Sequence, residues 1–229
     1  MSSNAPKPTL RLDWCTHEAA KYAVEHWHYS RKLPASKTVR IGVWEGGLFI
    51  GCLLYSWGSN RNLPASYGVA QTQCAELTRV ALRSHAAPVS RILAISVRML
   101  RKQSPGLRVL VSYADPNHDH HGGIYQAAGW LYTGRSAVNE AYEVDGVVMH
   151  KRLLTGSSYG RKAPPMPVTA KRVVPMQKFR YVMPLDAAMR AQVAPLAKPY
   201  PKRTPCAGTS TRDGAPVEVG GATPTPALR

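Results

Sequence analysis

The sequence predicts an α/β (α+β) protein: a mixed β-sheet flanked by helices, followed by a basic, proline-rich C-terminal extension. Three observations predict it. An apolar hairpin pattern fills residues 39–57, strand and helix patterns alternate from residue 75 to residue 154, and proline and positive charge crowd beyond residue 154. A chain of 229 residues can bury one core of about 150 residues and carry an appendage. The expected organisation is therefore a folded domain over 1–155, a basic extension over 156–203 that docks on it, and a disordered tail over 204–229.

The elements follow from local signals. Residues 16–27 (THEAAKYAVEHW) read as a helix: Thr16 can cap it, Glu18 suits the first turn, and Ala20, Val24 and Trp27 recur at helical spacing. In the hairpin, Val39, Ile41 and Val43 alternate with Arg40 and Gly42, and Gly46-Gly47 supplies the tight turn. The return strand, Leu48 to Trp57, is apolar on both faces and should be central. A polar loop spans 59–73, and Ala75 to Leu82 is strand-like. Pro88 opens a helix running to about Lys102, with Val89, Ile92, Leu93, Val97 and Leu100 on one face. Pro105-Gly106 stops it, and Arg108 to Ala114 is a buried strand closed by Asp115-Pro116. A short helix from Gly123 to Ala128 ends at Gly129, and Val147 to Leu154 is the last expected strand. The strand–helix–strand order implies a parallel crossover beside an antiparallel first half. Residues 155–177 read as linker, and 178–203 regain apolar content.

The formal net charge of +17 is unevenly placed. Residues 1–150 hold 16 Lys and Arg against 10 Asp and Glu, a net of +6, whereas 151–229 hold 14 against 3, a net of +11. Twelve of the 19 prolines lie in the same last segment. A basic extension of this kind implies a polyanionic partner, most often nucleic acid. No apolar run approaches the roughly 18 residues of a membrane span, and the N-terminus lacks the apolar stretch of a signal peptide. Cys15, Cys52, Cys74 and Cys206 form no CxxC pair and read as reduced thiols in a cytoplasm; none has the setting of a nucleophile.

The densest chemistry is YADPNHDHHGGIYQ, residues 113–126, at the end of a buried strand, where open α/β sheets bind ligands. Asp115 and Tyr125 are its best candidates. A polar surface loop with Asp-Pro and Gly-Gly turns is the competing reading, and it holds for the individual histidines. His28-Tyr29 follows a helix and precedes the basic loop of Arg31, Lys32 and Lys37. Glu76 and Arg79 are charged residues inside a strand, costly to bury without partners. Arg83, Ser84 and His85 precede a helix N-terminus, a location that suits a phosphate. Trp27, Tyr29, Tyr125 and the other aromatics offer a stacking wall for a base.

The element order resembles the GNAT acetyltransferase fold, with AELTRVAL similar to its central fourth strand and GGIYQAAGW similar to its late helix. More specifically, EHWHYSRKLP (25–34), GVWEGGLFIG (42–51), CAELTRVAL (74–82), VLVSYADPNHDHHGGIYQAAGWLYTG (109–134) and RYVMPLDAAMR (180–190) resemble the bacteriophage Mom DNA-modification protein family. The resemblance covers about residues 10–203, and the 113–130 block is its specific part. It implies a transferase that converts adenine in double-stranded DNA to an N6-carbamoylmethyl (acetamido) form. The product protects phage DNA from restriction in the host cytoplasm. It also implies that His28, Tyr29, Asp115 and Tyr125 are active-site residues, with Glu76 and Arg79 close by on a splayed strand. An iron is implied too, with His28 and Asp115 as ligands. Phosphates would be held by Arg31, Lys32 and Lys37, and by Lys171, Arg172, Lys178 and Arg180 of the extension. The group donor stays open. Acetyl-CoA users of the GNAT type carry a glycine-rich pyrophosphate loop, and the equivalent stretch here, Arg83 to Pro88, has no glycine. A conventional acetyl-CoA-dependent N-acetyltransferase and a non-catalytic DNA-binding protein on a GNAT-like scaffold are the alternatives.

Overall fold

The computed structural model describes residues 8–58, 60–137, 140–151, 154, 165–173 and 177–202. Their strands form one sheet of seven, in the order β1-β2-β3-β4-β5-β10-β6, and a separate sheet of three, β8-β7-β9. The strands are β1 (Leu10–Trp14), β2 (Thr38–Glu45), β3 (Leu48–Ser56), β4 (Cys74–Leu82), β5 (Val109–Ala114), β6 (Leu131–Arg135), β7 (Ala141–Val144), β8 (Val147–His150), β9 (Lys171–Val173) and β10 (Phe179–Pro184). The helices are α1 (His17–Trp27), α2 (Val89–Gln103), α3 (Gly123–Ala127) and α4 (Ala187–Val193). The mixed sheet expected from the sequence is present, antiparallel from β1 to β4 and parallel between β4 and β5. Among the described residues no helix is long and apolar enough to cross a membrane.

α1 begins where Thr16 accepts the Ala19 N–H on its hydroxyl. It buries Ala20, Ala23 and Val24 against Cys52, Leu54 and Ala81 on one face of the sheet. α2 covers the other face, placing Ile92, Leu93 and Leu100 on Ile41, Leu53, Tyr55 and Leu77. Burying these side chains stabilises the fold by roughly 1.5–3 kcal/mol each. The β2–β3 turn has positive φ at both Gly46 and Gly47, the backbone that a two-residue hairpin requires.

The register of β4 breaks at one point. Arg79 opposes Leu54 and Leu77 opposes Tyr55, so Thr78 is an extra residue, a β-bulge. Its effect is visible in the packing. Leu77 and Ala81, which regular alternation would place on one face, lie under α2 and α1 respectively. The bulge also marks where β4 leaves β5. The two strands pair only over Cys74–Leu77 and Val109–Ser112, and the Ser112 hydroxyl donates to the Leu77 carbonyl at 2.8 Å as the last tie before they part.

The largest departure from the sequence-based expectation is in the C-terminal segment. Residues 179–184 do not dock on the sheet from outside. They enter it as β10, antiparallel to β5 from Phe179↔Ala114 to Pro184↔Val109, with β6 on the other side. α4 then buries Met189 and Val193 on Leu63, Tyr67, Cys74, Val109 and Val111. Asp186 fastens this corner, accepting two bonds from Arg108 at 2.9 and 3.1 Å and capping α4 through Met189 N–H. β1, β6, β7, β9 and β10 were not expected as strands. The expected last strand over 147–154 stops at His150 and belongs to the small sheet rather than the main one. The tail over 204–229 and much of the linker over 155–177 lie outside the described residues.

A chain ending at Gln177 would lose both β10 and α4, and with them the partners of β5 on one edge. Thermal unfolding followed by circular dichroism is expected to show no cooperative transition. A transition within about 3 °C of the full chain, a shift worth roughly 1 kcal/mol for a chain of this size, would contradict the integral role given to this segment.

Candidate functional site

A cavity of about 680 Å³ opens where β4 and β5 separate. Thr78, Val80 and Leu82 form its β4 wall, and Tyr113 and Ala114 its β5 wall. The chain leaving α1 contributes Trp27, His28 and Tyr29, and residues 120–125 close the far side. Segments distant in sequence therefore meet at the carboxyl end of β5, as the strand order requires.

His28 is buried, with 8% of its surface exposed. Its Nδ1 accepts the Ser30 backbone N–H at 3.1 Å and lies 2.8 Å from the Ser30 hydroxyl. A ring nitrogen that accepts an amide N–H carries no proton, so the neutral imidazole holds its proton on Nε2. Burial, and then the neighbouring charges of Arg79, His120, His118 and Lys178, push the His28 pKa down to about 3. His28 thus offers the site a hydrogen-bond donor rather than a base.

Tyr29 lies between imidazoles, its ring centroid 4.3 Å from that of His28 and 4.1 Å from that of His118. Desolvation raises its pKa, against the pull of Lys178. With two rings already at stacking distance, Tyr29 offers its hydroxyl more readily than a ring face. Tyr125, in α3, is buried against Trp130 and Tyr181, and its hydroxyl meets that of Ser112 at 2.8 Å. Burial pushes this phenol up to about 12, so it remains protonated at neutral pH.

Asp115 sits beside the cavity with its side chain 9% exposed, and Lys178 Nζ reaches its Oδ2 at 2.9 Å. The Asp115 carbonyl accepts the N–H groups of His118 and His120, which folds the histidine loop back over the strand end. The same loop is held from β10: the Tyr181 hydroxyl donates to the His121 carbonyl at 2.6 Å. Gly122 has φ +86°, and a Cβ there would stand 2.2 Å from the Tyr181 ring, so only glycine fits.

Arg79 and Glu76 are near the site without lining it. Arg79 donates from Nε to the Lys32 carbonyl at 3.1 Å, tying the loop after His28 and Tyr29 to β4. The Glu76 carboxylate packs against Gly58, where a Cβ would come within 2.2 Å of Oε2. Several residues expected to hold phosphate also have internal partners. Arg31 donates to the Glu25 carbonyl, Arg180 to Thr133, and Arg172 pairs with Glu140 at 3.5 Å. Lys178 pairs with Asp115. Lys171 pairs across β9–β7 with Glu143, and the exposed Lys37 lines a second, smaller cavity with His17 and Arg40. Just before α2, where a phosphate was expected, Glu45 accepts the N–H groups of Ala86 and Ala87 at 2.8 and 2.7 Å.

The side chains do not fit the implied iron. Among the described residues no three His, Cys, Asp or Glu side chains form a group that could hold a metal ion. Of the two expected ligands, His28 has Nδ1 committed to Ser30 and Nε2 protonated, and Asp115 carries an ammonium partner. Tyr181, Ser112 and Glu45 went unrecognised in the sequence, and Lys178 was expected only as a phosphate contact. Only the register of β10 on β5, which sets Phe179 opposite Ala114, brings Lys178 to Asp115.

Folding favours neutral His28, so only the unfolded chain takes up its proton between pH about 6.5 and about 3. The stability contributed here is intact above that window and lost as pH falls through it. Imidazole ¹⁵N shifts are expected to report an Nε2–H tautomer that does not change from pH 7.5 to pH 5. A midpoint near 6.5 would contradict the assignment.

The model of the Mom protein family matches residues 9–202 of this chain. The methylcarbamoylase Mom of Escherichia phage Mu is 24% identical over 204 residues, covering 84% of each chain. Solved structures with a similar chain path include a Bacillus subtilis acetyltransferase in complex with CoA, at 11% identity and TM-score 0.42, covering 78% of this chain and 99% of that one. FeeM, an N-acyl amino acid synthase from uncultured soil microbes, is similar at 14% identity and TM-score 0.43, covering 83% and 96%.

Proposed function

The chain belongs to the Mom protein family, and from that premise we propose that it is a phage DNA-modifying transferase. In this reading it converts adenine in double-stranded DNA to the N6-carbamoylmethyl form and so protects phage DNA from host restriction. The observation that carries the reading is the convergence of His28, Tyr29 and Tyr125 on one cavity, with Asp115 at its edge. A volume of about 680 Å³ is ample for a base taken out of the helix. Adenine N6 is engaged in the base pair of the duplex, so the target nucleotide is flipped into the cavity.

In the transfer, a bond forms between N6 and the carbamoylmethyl carbon. The bond from that carbon to the donor breaks with its electron pair leaving on the donor, and N6 gives up a proton. Asp115 accepts the proton. His28 Nε2–H and the Tyr29 phenol donate hydrogen bonds to the amide oxygen of the transferred group, and the Tyr125 phenol joins them by turning its proton from Ser112 to that oxygen. Arg79 keeps the His28–Tyr29 loop in place through the Lys32 carbonyl. The net charge of +17 supports a polyanionic substrate and a steep salt dependence of binding. Glu45, seated on the Ala86 and Ala87 amides, weighs against the acetyl-CoA alternative, because a pyrophosphate there would meet a carboxylate.

Nucleoside mass spectrometry of DNA from cells expressing the protein is expected to reveal adenine heavier by one carbamoylmethyl group. Asp115→Ala and Tyr125→Phe are each expected to lower that product by at least about 100-fold, the usual scale for a proton-transfer group, while the protein still unfolds cooperatively. Unmodified adenine under good expression would overturn the proposal. Full modification by both variants would overturn the assignment of the site.

A further inference from the structure

Lys178 belongs by composition to the basic extension, where lysines are expected to meet phosphate. Its backbone is fixed from two sides. Phe179, the next residue, pairs with Ala114 of β5 and with Arg135 of β6. Lys178 also exchanges bonds with Ser136: its N–H donates to the Ser136 hydroxyl at 3.1 Å, and its carbonyl accepts the Ser136 N–H at 2.8 Å. The side chain so placed ends 2.9 Å from a carboxylate oxygen of Asp115, whose side chain is only 9% exposed. The charge is felt across the site, pulling on both His28 and Tyr29. The Lys178 side chain is itself 43% exposed, but a lysine whose backbone is fixed from two sides, opposite a carboxylate this buried, is placed by the sheet rather than by chance.

We propose that Lys178 is a positioning residue of the site: its ammonium holds the buried Asp115 carboxylate in place at the cavity edge and, through it, the histidine loop. The inference deepens the DNA-modification reading and rests on it for the choice of activity measured. It reassigns one lysine of the extension from gripping DNA to building the site. The last part of the chain then acts on the chemistry as well as on affinity.

Three measurements on the full chain test this. Modification in cells, read by nucleoside mass spectrometry at matched expression, is expected to fall by at least about 10-fold in Lys178→Met, the low end for a group that supports proton transfer. Lys178→Arg keeps the charge and is expected to restore most of it. Binding of purified protein to a fluorescent duplex is expected to keep its salt dependence in Lys178→Met. Loss of modification accompanied by a salt slope lower by about 1 would instead mark a phosphate contact and overturn the proposal. Hydrogen exchange gives a readout independent of activity: the amides of His118 and His120 are expected to exchange at least about 10-fold faster in Lys178→Met. Unchanged exchange would overturn the proposal. Should the methionine variant fail to fold, Lys178→Gln retains a donor for Asp115 without the charge and is expected to lose modification likewise; full modification by it would overturn the proposal. A wild-type chain that leaves adenine unmodified sinks the DNA reading, whereas the exchange result bears on Lys178 alone.

Discussion

The hydrogen-bond ladder between β5 and β10 is the constraint on which the rest of the structure depends. β5 is buried, and on its β4 side it is paired only over Val109–Ser112. Its other edge and its last two residues would leave buried amide and carbonyl groups without partners if β10 were not there. β10 satisfies them along the whole strand, from Val109 to Ala114. In doing so it fixes Lys178 beside Asp115, sets Tyr181 under the His121–Gly122 turn, and carries the chain to α4, which seals the second apolar cluster. One pairing thus supports the sheet, the histidine loop and the charge balance of the cavity.

The cavity itself comes from a defect placed beside that ladder. The bulge at Thr78 turns β4 away, and the Ser112–Leu77 bond ends the pairing. Charges then decide what the lining groups can do. His28 is neutral and donates, and Tyr125 is held protonated by its buried setting. Asp115, bridged to Lys178, is held as a charged carboxylate beside them. The histidines look alike in sequence and differ in kind once their partners are known. His28 is fixed by a neighbour two residues away, while the amides of His118 and His120 hold a loop together.

Much of this was legible in the sequence, for reasons that are local. Thr16, the Gly46-Gly47 turn, the α2 face and the strand ending in Asp115-Pro116 are signals contained within a few residues, and each produced the expected element. Asp115 and Tyr125 were legible because an acidic loop after a buried strand is informative wherever it occurs. β10 was not. FRYVMP is short, follows a proline-rich stretch and ends at Pro184, so it reads as an extension until its partner 65 residues earlier is known. The partner of Lys178 was hidden for the same reason: a lysine among basic residues looks like a phosphate contact, and only the register reveals the carboxylate it faces. The role of His28 escaped because a tautomer is set by hydrogen-bond geometry, which residue spacing does not encode. Glu45 escaped because its acceptor role depends on two amides about 40 residues away.

The late arrival of β10 also sets a clock on the ribosome. β5 ends at Ala114 and its partner begins at Phe179, an interval that takes roughly 3–13 s to synthesise at about 5–20 residues per second. Throughout that time the nascent chain presents an unpaired β5 edge, and the cavity lacks both its lysine and the clamp on its histidine loop. Catalytic competence is therefore acquired in a single late step, when the returning strand inserts, and translation that stops short of it yields a chain with most of the expected active-site residues and no site.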